Sequence, residues 1–131
     1  MNVNIISIDY ESLASWDNYF IAAQNTVRVG QHLGQVLGVN LLVHGLKQDP
    51  KKIHLIGHSI GAHLVGHFGR VMAAAVGRIG RITGLDPAKP WFDFSDKTNS
   101  LCKDDAQIVD VIHTNGGYLL NVHQFIFERL V

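Results

Sequence analysis

The stretch IHLIGHSIGAHLVG, residues 53–66, decides the fold of this chain. Its first four residues form an apolar run typical of a buried strand, and the residues after Gly61 have the pattern of a helix. Between the two lies the pattern G-x-S-x-G, residues 57–61. A strand, this pattern and a helix in direct succession are typical of a nucleophile elbow, the sharp turn that exposes a serine at the edge of a sheet. We therefore predict that Ser59 is a catalytic nucleophile.

The two glycines beside Ser59 fit the strain of such a turn. We expect a Cβ at either Gly57 or Gly61 to collide with the neighbouring strand and helix. The helix that begins behind Ser59 offers free N–H groups and a positive field, which both favour an oxyanion. The alternative is a plain strand-to-helix turn that contains a serine and two glycines.

Apolar runs and helical patterns alternate outward from this turn. Strands are predicted at residues 3–8, 53–57, 81–85 and 108–113. Helices are predicted from residue 19 to residue 45 and from residue 62 to residue 76, and residues 87–104 are expected to form a loop. The order β-α-β-α-β-loop-β predicts an α/β protein with a mostly parallel sheet and flanking helices.

The first helix carries three signals in its sequence. Asp17 or Asn18 is placed to cap its N-terminus, and Gly45 is placed as the glycine that ends it. Glycines at positions 30, 34 and 38 recur every four residues on one face. Because glycine costs a helix up to ~1 kcal/mol relative to alanine, we expect this face to pack closely on the sheet.

Composition limits the classes of function. The chain has 131 residues, a formal net charge of +0 and 47% hydrophobic residues, which is ordinary for one small globular domain. A neutral charge balance gives no support for nucleic-acid binding. No apolar run approaches the ~18 residues of a membrane span, no signal peptide is recognisable, and Cys102 has no cysteine partner.

Asp86 is the candidate for the catalytic acid. A serine nucleophile needs a base, and the base needs a carboxylate that orients it. Asp86 follows the predicted strand 81–85, so it should leave the same edge of the sheet as Ser59. The chain order, with serine before acid, is the one expected on this type of sheet. The alternative is that Asp86 and Pro87 only terminate the strand.

Two blocks, residues 53–63 (IHLIGHSIGAH) and 80–90 (GRITGLDPAKP), resemble the signature blocks of the pancreatic lipase family. Residues 105–106 and 109–114 agree with a further segment of that family. The resemblance covers about residues 1–117 and implies a partial α/β-hydrolase fold. The prediction is thus one partial lipase domain over residues 1–131, in which residues 118–131 are a poorly matched tail.

The resemblance implies specific roles for three residues. Ser59 corresponds to the nucleophile, Asp86 to the acid, and the backbone N–H of Ile60 to one donor of the oxyanion hole. It also implies a secreted enzyme that cleaves carboxylic esters of acylglycerols or phospholipids at a lipid–water interface. The family's catalytic histidine lies downstream of the matched segment and its second oxyanion donor lies upstream, so we expect this chain alone to be inactive.

The resemblance also bears on cofactors. The family has a calcium loop, but only Asp105 matches it clearly, because Lys97 and Cys102 stand where acids are expected. We therefore expect no calcium, no other metal and no cofactor. His63 and His67 stand four residues apart on a predicted helix, a spacing that can bind zinc, yet no third ligand is evident. We favour plain histidines on the helix surface.

Several alternatives stay open. His113, at the end of a predicted strand, and His123, in the tail, are further candidates for the base, although the family position of His113 is structural. The aromatic cluster Trp91, Phe92 and Phe94 either lines an acyl pocket or covers the sheet edge. A lipid-binding protein without catalysis and a truncated gene product are the alternatives to an ester hydrolase.

Overall fold

The computed structural model describes residues 3–14, 18–89, 92, 98–114 and 126–130. Within them a four-stranded sheet has the order β1-β2-β3-β4. The strands are β1 (His54–His58), β2 (Arg81–Leu85), β3 (Ile108–His113) and β4 (Ile126–Leu130). The first three are parallel, and β4 pairs antiparallel with β3. Helices α1 (Tyr19–Leu33) and α2 (Ile60–Ala75) flank this sheet, which confirms the α/β class and the mostly parallel sheet.

The core lies between α2 and one face of the sheet. Side chains of α2 such as Phe68 and Met72 pack with Ile82 of β2 and Val109 of β3, and all four are buried. This arrangement follows from the parallel β1-α2-β2 connection, which places the apolar face of the helix over the strands that it joins. None of the helices in the described ranges is long and apolar enough to cross a bilayer.

Helix α1 begins as its sequence predicts. The side chain of Asn18 caps the helix by accepting a hydrogen bond from the Ile21 N–H at 3.2 Å. Asp17, the other candidate for this cap, lies outside the described residues. The buried face of α1 carries Ala22, Ala23 and Thr26, as the predicted periodicity requires.

The glycines of the first helix pack on α2, and the prediction that they pack on the sheet is wrong. A Cβ at Gly30 would lie 2.5 Å from the Leu64 carbonyl oxygen, and one at Gly38 would lie 2.5 Å from the Met72 sulfur. The cause is the close approach of two helices, which only residues without a side chain permit.

The end of the first helix also differs from the prediction. After Leu33 the helix continues as a π-helix, Gly34–Gly45, in which bonds of the type Leu46 N–H to Leu41 O (2.8 Å) close wider turns. Gly45 is therefore still helical, and the left-handed residue is Lys47, with φ of 56°. The helix thus ends at Gly45, as predicted, but Gly45 is its last helical residue and not the left-handed glycine that was expected to follow it.

Residues 3–8 are not a strand in this structure. They have no assigned secondary structure and no strand partner among the described residues, and apolar side chains such as Ile5 are exposed. An apolar β-branched run becomes a strand only where a neighbour completes its hydrogen bonds, and β1 here pairs with β2 alone.

The tail supplies a strand that the sequence pattern did not indicate. Asp110 of β3, which is fully buried, pairs with Arg81 of β2 at 2.5 Å and with Arg129 of β4 at 3.1 Å. One carboxylate thus links three neighbouring strands. The partners lie 29 and 19 residues away, so no local periodicity could reveal this strand.

Candidate active site

Ser59 occupies a strained bend between β1 and α2. Its φ of 54° and ψ of −122° lie in a region that residues other than glycine rarely adopt. Three backbone bonds hold the bend: Ser59 N–H donates to Leu85 O at 2.9 Å, and the N–H groups of Ala62 and Ala88 donate to Ser59 O at 3.2 and 3.3 Å. This strand, bend and helix form the geometry expected of a nucleophile elbow.

The two glycines of the motif have different roles. A Cβ at Gly57 would overlap the carbonyl oxygen of Gly61, so the elbow requires glycine there, as predicted. A Cβ at Gly61 would meet only the Tyr10 hydroxyl, at 3.6 Å, which is an ordinary contact. The prediction that Gly61 is needed to avoid a collision is therefore wrong, because the first turn of α2 faces the open cleft.

Asp86 stands directly after β2, at the same edge of the sheet as Ser59. His58 of β1 is the partner of Leu85 in the parallel register, so Ser59 and Asp86 are each one residue beyond a paired position. Asp86 N–H donates to Ile112 O at 2.8 Å. The carboxylate accepts hydrogen bonds from the Thr114 N–H at 2.5 Å and from the Thr114 hydroxyl. The turn after β3 thus orients the Asp86 carboxylate.

The histidines near this edge do not complete a hydrogen-bonded triad with Ser59 among the described residues. His113 ends β3 beside Asp86 and is half-buried, and His58 is exposed beside the elbow. In the described ranges no hydrogen bond joins the Ser59 hydroxyl to an imidazole ring. His123, the other candidate for the base, lies outside the described residues.

A cleft of about 290 Å³ opens in front of Ser59. Its walls are the N-terminal segment at residues 8–11, the start of α1 at Tyr19 and Ala22, and the elbow itself. Burial raises the pKa of both Tyr10 and Tyr19 above 10.0, so both phenols keep their protons at neutral pH. Volume and lining together suit a small apolar group with one polar end.

His63 is a buried structural histidine. Its Nε2–H donates to Ala88 O at 2.8 Å, and its Nδ1 accepts from the Leu101 N–H at 3.0 Å. The Phe92 ring stacks on the imidazole at a centroid distance of 3.8 Å. Burial lowers the pKa of His63 to about 4, so the ring is neutral. Phe92 thus packs on α2, an arrangement that tests neither alternative for the aromatic cluster, and Trp91 and Phe94 lie outside the described residues.

His67 lies one turn further along α2 and is also buried. Its Nε2–H donates to Asn99 O at 3.2 Å, and Arg70 Nη1 donates to its Nδ1 at 3.2 Å. Burial, and then the Arg70 charge, lower its pKa to about 4. The prediction of surface histidines is wrong, because the loop that follows β2 folds over this face of α2. Both ring nitrogens of each histidine are occupied, and the described ranges contain no cluster of three metal-ligating side chains.

Asp105, the residue that matches the calcium loop, is bound by a guanidinium. Its side chain is 1% exposed, and Arg70 contacts both carboxylate oxygens, at 2.8 and 3.1 Å. The backbone N–H of Cys102 donates to the same carboxylate at 2.8 Å. A calcium ion requires oxygen ligands free of a competing cation, so the described residues around Asp105 do not fit one. Lys97 lies outside the described residues.

Comparisons with known proteins show the family of this chain. A family model described as Lipase matches residues 1–124. The chain belongs to the lipase family. The pancreatic triacylglycerol lipase of Cavia porcellus is 41% identical to it over 119 residues, which are 91% of this chain and 24% of that protein. The hepatic triacylglycerol lipase of Rattus norvegicus is 45% identical over 112 residues, 86% of this chain and 22% of that protein.

A third lipase-family relative is pancreatic lipase-related protein 2 of Bos taurus. It is 38% identical over 122 residues, which are 90% of this chain and 24% of that protein. The chain therefore spans about a quarter of the length of these lipase-family relatives.

Sequence reasoning missed two residues that contribute to the candidate site. Thr114 donates hydrogen bonds to the Asp86 carboxylate. It directly follows the predicted strand 108–113, so its position at the same edge of the sheet could have been predicted from the sequence. Tyr10 also lines the cleft, and it comes shortly after residues 3–8, which were predicted to be a strand.

Proposed function

We propose that this chain carries the nucleophile and the acid of a lipase-family enzyme that hydrolyses carboxylic esters. The observation that supports this most is the position of Ser59 at a positive-φ bend, level with Asp86 directly beyond the paired residues His58 and Leu85. The names of the relatives, pancreatic and hepatic triacylglycerol lipase, support an acylglycerol as the substrate, and a phospholipid is the other class that the family resemblance implies. A lipid–water interface and an extracellular location follow from the same likeness.

The proposed mechanism is acyl transfer through Ser59. The Ser59 Oγ attacks the ester carbonyl carbon while a histidine base takes its proton, and the carbonyl electron pair moves to oxygen. The Ile60 N–H, at the first position of α2, donates to that oxyanion. The intermediate collapses, the protonated alcohol leaves, and water hydrolyses the acyl-enzyme. The Asp86 carboxylate orients the histidine and stabilises its positive charge. No step draws on a metal or a cofactor.

In our proposal this chain does not provide the third member of the triad, the histidine base. The resemblance assigns it to a position outside the matched segment, and Ser59 makes no hydrogen bond to a described histidine. Loss of one triad member costs several orders of magnitude in kcat. We therefore propose that the 131-residue chain is inactive by itself.

Rescue by imidazole tests this proposal. The purified chain and its Ser59→Ala and Asp86→Asn variants are incubated with p-nitrophenyl butyrate, with and without added imidazole. We expect no difference between wild type and Ser59→Ala without imidazole. With imidazole we expect release of p-nitrophenol above the Ser59→Ala background, a mass increase of one butyryl group on Ser59, and a weaker effect in Asp86→Asn.

Two outcomes would count against the proposal. An imidazole-dependent rate that is the same in wild type and Ser59→Ala, with no acyl group on Ser59, would refute the nucleophile. Turnover without imidazole that Ser59→Ala abolishes would show that the chain does contain a base, and would make His113 the first candidate.

A further inference from the structure

The hydroxyl group of Tyr10 lies over the first turn of α2, next to the bend that carries Ser59. Tyr10 lines the same cleft as Ser59 and Ile60, and its side chain is half-buried. A Cβ built on Gly61 would lie 3.6 Å from the Tyr10 Oη. The phenol therefore reaches the N-terminus of α2, whose first residue, Ile60, lines the same cleft.

This hydroxyl has no hydrogen-bond partner within the part of the chain that the structure describes. In the same part, every side-chain nitrogen or oxygen that is fully buried has a partner. The Tyr10 Oη is thus not sealed inside the protein but is accessible from the cleft. A phenol with a free donor, held by a half-buried ring that packs against the core, is able to bind an acceptor group that enters this space.

We propose that the Tyr10 hydroxyl donates a hydrogen bond to the carbonyl oxygen of the ester as Ser59 attacks it. Tyr10 is then a catalytic residue of the oxyanion hole and acts beside the Ile60 N–H. The inference rests on the proposed function, because it takes Ser59 as the nucleophile. Sequence reasoning placed the second donor outside this chain, whereas the geometry offers one inside it.

The chemistry of this step balances once the histidine base of the proposed triad, or the imidazole that replaces it, takes the serine proton. The Ser59 Oγ–carbon bond forms, the electron pair of the carbonyl π bond moves onto the oxygen, and the serine proton passes to the base. Tyr10 keeps its proton throughout, and its hydrogen bond strengthens as negative charge develops on the acceptor. Removal of one such donor typically lowers kcat by about 10²–10³.

Butylboronic acid is a suitable probe, since it needs no turnover. Its boron accepts the Ser59 Oγ, and the resulting tetrahedral boronate carries an oxygen in the place of the oxyanion. Boron-11 NMR of the 131-residue chain measures the affinity of this adduct. The variants are Tyr10→Phe, which removes only the hydroxyl, and Ser12→Ala, which removes a hydroxyl from an exposed position outside the cleft and is the control. Ser59→Ala reports on the nucleophile itself.

We expect Tyr10→Phe to weaken butylboronic acid binding at least about tenfold, consistent with one lost donor to a charged oxygen. Ser12→Ala should change it less than about twofold, and Ser59→Ala should abolish it. A second readout uses wild-type protein labelled with ¹³Cζ-tyrosine. The Tyr10 resonance, assigned by its absence in Tyr10→Phe, should shift when the adduct forms. A merely structural role for Tyr10 would not produce that shift.

The failures of the two proposals are distinguishable. Equal affinity in wild type and Tyr10→Phe, together with an unmoved Tyr10 resonance and loss of binding in Ser59→Ala, would refute the role of Tyr10 and leave the nucleophile standing. A tetrahedral adduct of equal affinity in Ser59→Ala would refute the nucleophile and, with it, this inference.

Discussion

Ser59 and Asp86 follow the paired residues His58 and Leu85 of two neighbouring parallel strands, and both have positive φ, at 54° and 43°. Positive φ in residues other than glycine is uncommon and costs energy. Two such residues at adjacent positions of one sheet edge indicate that the fold holds both side chains in defined directions. A single imidazole placed above this edge could then contact both side chains, as a triad requires.

The elbow depends on Gly57 and not on Gly61. Gly57→Ala should lower the free energy of unfolding by about 3 kcal/mol, because its Cβ would overlap backbone that cannot move away. Gly61→Ala is the matched control, and it should be neutral or stabilising by up to ~1 kcal/mol, since it replaces glycine within α2. Urea unfolding followed by circular dichroism measures both. Equal losses in the two variants would contradict this description of the elbow.

The Arg70–Asp105 pair should contribute far more to stability than the surface pair Arg78–Asp104. Arg70→Ala leaves the buried Asp105 carboxylate without its guanidinium, which typically costs about 3–5 kcal/mol. Arg78→Ala breaks a pair in which both side chains are about half exposed, at 50% and 51%, so we expect a loss within about 1 kcal/mol. Urea unfolding of the two variants checks this order.

Arg70 also donates to the backbone carbonyls of Thr98 and Ser100. Hydrogen exchange in Arg70→Ala should therefore increase in residues 98–101 more than in β2. Unchanged exchange in this loop would show that Arg70 does not hold it on α2.

Stability should fall as the pH falls from about 6.5 toward 4. His63 and His67 have pKa values near 4 in the folded protein, against 6.5 when exposed, because both are buried. In this window the unfolded chain binds more protons than the folded one, so protonation favours unfolding. Two such histidines make the free energy of unfolding change by at most about 2.7 kcal/mol per pH unit.

Urea unfolding between pH 7 and pH 4 measures this slope. His67→Gln should reduce it, whereas His32→Gln, at an exposed position of α1, should leave it as it is in wild type. A slope that is insensitive to His67→Gln would contradict the assignment of a neutral buried ring.

Sequence alone predicted those features that neighbouring residues encode. The elbow, the cap at Asn18 and the strands at residues 81–85 and 108–113 agree with the structure. Each of these features is determined by residues that are neighbours in the sequence. Features that depend on distant partners were missed. The burial of His63 and His67 needs a loop more than 20 residues away to fold over α2.

The same reason explains the errors in the sheet. Residues 3–8 have the composition of a strand but lack a neighbour, while β4 has no readable pattern but gains Arg129 as a partner for Asp110. For the candidate site, the motif around Ser59 and the position of Asp86 were readable from sequence. The approach of Tyr10 to the cleft was not, because it depends on the path of an N-terminal segment that pairs with no strand.

Phosphonylation of Ser59 tests the central claim most directly. The chain is treated with an alkyl fluorophosphonate and imidazole, folded and in urea, and the labelled serine is mapped by mass spectrometry. We predict that the folded chain is labelled on Ser59 in strong preference to Ser7, Ser12 and Ser100, and that urea or Asp86→Asn removes most of this preference. Labelling spread evenly over these serines, or unaltered by urea, would contradict the claim that the fold presents Ser59 as a nucleophile beside Asp86.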